Sequence, residues 1–224
     1  MIIWKCHGHV QLEGPEQDGY EHLEVLGSIL VCMTDKADGS PDISHPVNTI
    51  EEFRSVARSH LGSHSLVYAA EIDCIDPNSR GNNKYVELKT SRIIETGQQY
   101  ENFCKFKLMK WWAQSYLIGI TRIVCGFRDD KGVVVKLQDY PVKDLPERAV
   151  SAFRKNAWKP AVCFNFLDYF LNFVKSNIKE DNPRCVYLFS WQPGGHVACE
   201  RRGEDREFLF LPDWFINWNA WDQS

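Results

Sequence analysis

No stretch of the 224-residue chain approaches the roughly 18 to 20 consecutive apolar residues that a membrane span needs. The opening MIIWKCHGHVQLEG also lacks the apolar core of a secretory signal, so an intracellular protein with no membrane partner is expected. A CxxC pair is missing as well. The eight cysteines are scattered at Cys6, Cys32, Cys74, Cys104, Cys125, Cys163, Cys185 and Cys199, which argues for reduced, mostly buried thiols over a disulfide scaffold. Cys6, His7 and His9 cluster, yet no second pair follows at finger-like spacing, so zinc gains little support. Nor is there an excess of positive charge: 26 Lys and Arg against 30 Asp and Glu give a net charge of −4. That balance argues against broad attraction to nucleic acid while leaving room for a local basic groove.

With 44% apolar and 25% charged residues, the chain reads as one globular domain over 1–224, without internal repeats or a low-complexity linker. Thr34–Asn48, with Gly39, Pro41 and Pro46, reads as a surface loop. Ile50, Phe53 and Ala57 recur at helical spacing, so Ile50–His60 is expected to be a helix capped by Thr49 and ended by Gly62. Ser65–Ile75 and Lys84–Thr90 are β-rich and flank the turn-forming DPNSRGNN, which predicts a hairpin. Tyr100–Ile118 follows as a long helix on Phe103, Phe106, Met109, Trp111 or Trp112, and Tyr116. A second hairpin is expected from Arg122–Phe127 and Val133–Tyr140, and a helix from Val162–Val174. Val186–Trp191 and Val197–Arg201 surround QPGG as further strands, with Phe208–Leu211 as an edge strand. The expected fold class is α+β, a mixed, largely antiparallel sheet flanked by helices.

Residues two apart on a strand share a face, so Glu71 pairs with Asp73 and Glu87 with Lys89. If the hairpin brings both pairs together, three carboxylates and an ammonium converge. Carboxylates that close raise one another's pKa, and a divalent cation relieves the strain. Magnesium suits such hard oxygen donors and leaves positions open for water and phosphate; the metal acidifies the water, and Lys89 neutralises charge on the phosphoryl group. On the following helix Lys107, Lys110 and Gln114 stand at i, i+3 and i+7, one stripe that can face a phosphate backbone. The ordinary alternatives are a solvated helix face and a chance Glu87–Lys89 salt bridge. ExD and ExK are short patterns; both on successive strands before a Gln-bearing helix are more specific.

EIDC at Glu71–Cys74, YVELKTS at Tyr85–Ser91 and KWWAQSYL at Lys110–Leu117 resemble the decapping exoribonuclease family, as do GFRDDKG at Gly126–Gly132 and LFSWQPGG at Leu188–Gly195. The resemblance implies a D-(D/E)xK-nuclease-like metal site and a hydrolase that removes incomplete, unmethylated or nicotinamide-nucleotide caps from RNA, often with 5′-to-3′ exoribonuclease action. It implies Asp73, Glu87 and the Leu88 carbonyl as ligands of Mg²⁺, with Mn²⁺ as a substitute. Glu71 would then act near the substrate or a second metal, and Lys89 and Gln114 would position the scissile phosphate and the water. It points further to RNA 5′ ends and a 5′-to-3′ exoribonuclease as partners, and to a nuclear or cytoplasmic location with the nucleus favoured. The family's upstream arginine motif would precede this chain, and the N-terminal part of the family domain is expected to be missing. Spacing back from EIDC places the glutamate of a second, glycine-rich motif at Ile29, within GSILV, with Glu24 as a substitute only if the loop is shifted. A non-catalytic binder of RNA ends that escorts another nuclease is therefore a rival, and a DNA nuclease with the same generic core is a third.

Overall fold

In the computed structural model the backbone of 24–29 and residues 53–76, 84–153 and 157–218 are described. The expected loop Thr34–Asn48 and the expected cap Thr49 lie outside them. Two compact units can be described, one running to Asp168 and the other starting at Tyr169.

The first unit holds two sheets. In one, β1 (Glu24–Ile29), β2 (Arg54–Leu61) and β3 (His64–Glu71) run antiparallel in that order. The helix expected over Ile50–His60 is thus corrected to a strand from Arg54 onward. Ser55, Ala57, Ser59 and Leu61 are the buried set, a period of two that includes two serines and is therefore invisible to a hydrophobic pattern. Gly62 ends no helix; at φ 54° it forms the tight turn joining Leu61 to its partner His64.

The second sheet has the order β4 (Cys74–Ile75), β5 (Tyr85–Arg92), β6 (Arg122–Arg128), β7 (Val134–Pro141). β5 and β6 are parallel and the other pairs antiparallel, so the mixed α+β class holds. The β6–β7 hairpin appears where expected. The first predicted hairpin needs correction: Ser65–Ile75 is two strands, because the chain leaves the first sheet after Glu71, and only Cys74 and Ile75 pair with β5. Ile72 marks the crossing. Its N–H donates to the Phe53 carbonyl at 2.9 Å, and its side chain is buried with Ala57, Tyr85, Ile118 and Ile120.

Between the parallel strands runs a helix that begins as α1 (Gly97–Asn102), widens to a π-helical segment at Phe103–Leu108 and continues as α2 (Met109–Leu117). Thr96 caps it through its hydroxyl, and Gln99 returns the bond in a capping box. The widened turns change the phase. Phe103 to Leu108 is a step of five, so Leu108 is buried while Phe106 is turned to the surface. Phe103, Leu108, Trp111 and Trp112 then pack on Ile123, Cys125, Phe127 and Tyr140 of β6 and β7. The Cys104 carbonyl within the π segment accepts from Trp158 Nε1 at 3.0 Å. A 3₁₀ turn (Val142–Asp144) and α3 (Leu145–Phe153) follow β7, and Val142 and Leu145 close the same core.

Pro160 opens α4 (Pro160–Asn177), which contains the predicted Val162–Val174; a proline is tolerated there because the first turn has no partner for an N–H. In the second unit, β8 (Val186–Ser190) pairs antiparallel with β9 (Ala198–Gly203), close to the expected strands, and Phe170 and Phe173 meet Phe189 edge-on. Phe208–Leu211 is not an edge strand. The Phe208 and Leu209 N–H groups both turn back to the Asp205 carbonyl, and Arg202 lies over the Phe208 ring, ahead of α5 (Asp213–Trp218). All six described cysteines are free, three of them buried, and burial pushes the Cys125 thiol up to about 11.

The helix core supplies the first prediction. Leu108→Ala should cost about 2–5 kcal/mol in urea unfolding, since Leu108 is fully buried at the π turn. Thr96→Ala should cost about 1 kcal/mol through loss of the cap. Equal midpoints for Leu108→Ala and the parent would show that the helix is not docked as described.

Candidate active site

Glu87 and Lys89 stand two apart on β5, and Ser91 continues their face. This face meets the helix. Gln114 Nε2 donates to Glu87 Oε1 at 2.7 Å, Lys89 Nζ donates to the same oxygen, and Lys89 Nζ also reaches Gln114 Oε1 at 3.2 Å. The three side chains form a closed triangle. Glu87 is 1% exposed, whereas Leu88 beside it points outward and is about half exposed.

The pairing Cys74↔Val86 sets Asp73 opposite Glu87 at the point where β4 stops. With no strand left to pair with β5 there, the Leu88 N–H would be an orphan donor; Asp73 Oδ2 accepts it at 2.8 Å. A side chain thus replaces the ladder. Asp73 is thereby fixed at the sheet edge next to Glu87. Glu71 and Asp73 are both exposed and Ile72 between them is buried, so the alternation of the sequence survives the crossing. Glu71, however, ends a strand of the other sheet, where it pairs with Arg54.

Burial pushes the Glu87 carboxyl above its usual range; the Lys89 hydrogen bond and charge oppose this, and the charges of Asp73 and Glu71 add to it. Its Oε2 is buried and has no hydrogen-bond partner among the described residues. An acceptor left in that state costs about 1–3 kcal/mol, and more when charged. Among the described residues no three His, Cys, Asp or Glu side chains already stand at metal-binding distance from one another. The donors nonetheless fit a hard cation: the free Glu87 oxygen, the Asp73 carboxylate beside it and the Leu88 backbone are all oxygen donors, without sulfur or imidazole.

Of the residues expected at the site, Glu87, Lys89 and Gln114 are in direct contact, and Asp73 joins them through the Leu88 backbone. Glu71 is felt by Glu87 only as a charge. From the lysine stripe, Lys107 Nζ donates to Ser91 Oγ at 2.9 Å. Ser91 escaped the sequence reading although the period of two from Glu87 through Lys89 leads straight to it. Ile29 pairs with Arg54, which is Glu71's neighbour on the other side, so position 29 lies in the same cross-strand row as Glu71. Glu24 is at the far end of β1, about 15 Å along the strand, and is no substitute there.

A model of the family described as RAI1 like PD-(D/E)XK nuclease matches residues 30–216. The human decapping and exoribonuclease protein is 43% identical over 185 residues, which is 81% of this chain and 46% of that protein. The chain therefore spans about half the length of the curated relatives it matches. A Scheffersomyces stipitis Rai1 structure in complex with (3′-NADP)⁺ and calcium ion aligns with TM-score 0.67 at 26% identity, covering 79% of this chain and 48% of that one. A Candida albicans Rai1 structure in complex with pU5-Mn²⁺ aligns with TM-score 0.66, also at 26% identity, covering 77% and 48%. The family match takes in most of the chain, including every residue of the Glu87–Lys89–Gln114 triangle, and the chain belongs to the RAI1-like PD-(D/E)XK nuclease family.

Proposed function

We propose that the chain is a Mg²⁺-dependent hydrolase of RNA 5′ ends that removes incomplete or nicotinamide-nucleotide caps, with 5′-to-3′ exoribonuclease action, in RNA quality control. The observation that carries this reading is the buried Glu87 beside Asp73, with one oxygen held by Lys89 and Gln114 and the other without a hydrogen-bond partner among the described residues. Support comes from the relatives, which are named for decapping and exoribonuclease activity, and from neighbours bound to a dinucleotide with calcium and to pU5 with Mn²⁺. Asp73, Glu87 and the Leu88 carbonyl would hold the ion. A bound divalent cation supplies an acidified water and charge withdrawal from the phosphoryl oxygens.

This chain's own residues do the rest. Gln114 accepts from Lys89 and donates to Glu87, so its amide orientation is fixed and it holds the ammonium in place. Lys89 is then a preorganised positive charge for the scissile phosphate. Glu71, at the rim, faces substrate or a second ion. Nuclear location and a 5′-to-3′ exoribonuclease partner belong to the same proposal and rest on the family resemblance. The rival reading, a non-catalytic binder of RNA ends, is favoured by one observation: an isoleucine occupies position 29 in the row that carries Glu71.

Incubation of the chain with matched capped, nicotinamide-capped and 5′-monophosphate RNAs, with and without Mg²⁺, separates these readings. Metal-dependent release of cap or mononucleotide supports hydrolysis; binding without products leaves the binder. Lys89→Ala should lower the hydrolysis rate by about 10²- to 10³-fold while RNA affinity changes little. The substitution also leaves the buried Glu87 less well paired, so the melting temperature drops and the assay belongs well below it. Equal rates for Lys89→Ala and the parent would sink the proposed site. Asp73→Ala should weaken metal binding as well as rate.

Position 29 gives a separate test. Ile29→Glu adds a carboxylate to the row of Glu71 and should tighten Mg²⁺ and Mn²⁺ binding in calorimetric titration. Unchanged affinity would mean that this row does not reach the ion.

A further inference from the structure

The face of β5 that bears Glu87 and Lys89 does not end with them. Ser91, 5% exposed, is next on that face, and Lys107 Nζ rests on its hydroxyl at 2.9 Å. Two rungs therefore join strand to helix: Gln114 against Glu87 and Lys89, and Lys107 against Ser91. They differ in charge. Lys89 is paired with a carboxylate, while Lys107 rests on a neutral hydroxyl and has no ion pair among the described residues. Cys125, the buried neighbour that senses the Lys107 charge, is pushed up to about 11 and stays a neutral thiol, so it gives no counter-charge. An ammonium carries three donors and Ser91 takes one.

The wide turns of the helix create this arrangement. Lys107 lies within the π segment, next to the Phe103-to-Leu108 step that turns Phe106 outward, and that phase presents Lys107 to β5. The row therefore runs from acidic to basic: Asp73 and Glu87, then Lys89, then Ser91 with Lys107. We infer that Ser91 and Lys107 form a second phosphate seat, which binds the phosphodiester adjacent to the scissile one in an RNA strand. The seat rests on the reading of Glu87 and Lys89 as a hydrolytic centre. Its position favours a repeating polyanion over a single anion: Ser91 is about 7 Å along the strand from Lys89, on the same face, so one chain can engage both while a lone phosphate engages one.

The test is fluorescence anisotropy of a short 5′-phosphorylated oligouridylate in Ca²⁺, titrated between about 50 and 200 mM salt. For Lys107→Met the slope of log K against log salt should become shallower by about 0.7, the value of one phosphate contact on a single strand. Lys107→Arg should restore the slope, and Lys143→Met, the same charge change on the exposed 3₁₀ turn, should leave it unchanged. Uridine 5′-monophosphate, which has no second phosphodiester, should bind the parent and Lys107→Met equally. If Lys107→Met melts below the assay temperature, Lys107→Gln takes its place and keeps a donor for Ser91. Should the parent bind the oligonucleotide while Lys107→Met keeps the parental slope, or Lys143→Met lower it as much, the seat is overturned and the hydrolytic reading stands. Unequal binding of the mononucleotide also overturns it. If the parent binds no oligonucleotide at all, the hydrolytic reading fails and the seat fails with it.

Discussion

The arrangement turns on one buried carboxylate. Glu87 sits where β4 no longer pairs with β5, flanked by Ile123 on β6 and in contact with the helix through Gln114, buried so that an ionised group loses its water. Desolvation of that kind costs several kcal/mol per ion unless other groups replace the hydration. Here Lys89 and Gln114 replace it on one oxygen only. The second oxygen is buried and lacks a partner among the described residues, with Asp73 close enough to raise the carboxyl further. A hydrophobic residue at position 87 would be cheaper for the fold. A carboxylate retained there at that cost is what the proposed hydrolytic site would require, since a cation would supply the missing partner.

That carboxylate has to be reached from three directions, and the fold provides them by interrupting regular structure. β4 begins only at Cys74, which lets the side chain of the preceding Asp73 instead of a backbone carbonyl sit against Leu88. The helix widens in its second turn, which sets Leu108 into the core and brings Lys107 and Gln114 to the β5 flank. The parallel β5–β6 pair places Ile123 and Cys125 beside Glu87 and Lys89, so the polar row is bordered by apolar packing. Regular ladders and an unbroken α-helix would have put different atoms at each of these points.

Much of the site was legible because its core obeys local periodicities. Glu87 and Lys89 share a face by the strand period, and Gln114 follows on a helix whose existence its aromatic spacing announces; neither inference needs tertiary information. The helix phase was another matter. A constant period puts Phe106 inside, and only the π segment, which no residue in FCKFKL signals, turns it out. β2 was misread because its buried positions include Ser55 and Ser59, so the hydrophobic residues left visible, Phe53 and Ala57, happened to fall at helical spacing. The crossing at Ile72 was equally hidden: Ser65–Ile75 alternates like one strand, and its division between two sheets depends on the Phe53 carbonyl, a partner distant in sequence.

The division at Ile72 also bears on how the site balances charge. Asp73 and Glu87 are tied to the sheet that holds the helix, whereas Glu71 belongs to the other sheet and faces Arg54 across β2. Opposite charges directly across an antiparallel pair attract modestly, by a fraction of a kcal/mol to about 1 kcal/mol. Arg54 therefore offsets Glu71 more than it offsets Asp73 or Glu87, and the carboxylates divide into a pair held close together and a third with its own cationic neighbour. In the same row, across from Arg54, stands position 29, where an isoleucine brings no charge. The row Ile29, Arg54, Glu71 is thus neutral as it stands, and the remaining negative charge resides in Asp73 and in Glu87, which Lys89 partly offsets. It follows that the repulsion Glu87 feels comes chiefly from the sheet edge at Asp73, and that Glu71, exposed on the other sheet and paired across the strands with Arg54, adds the smaller share.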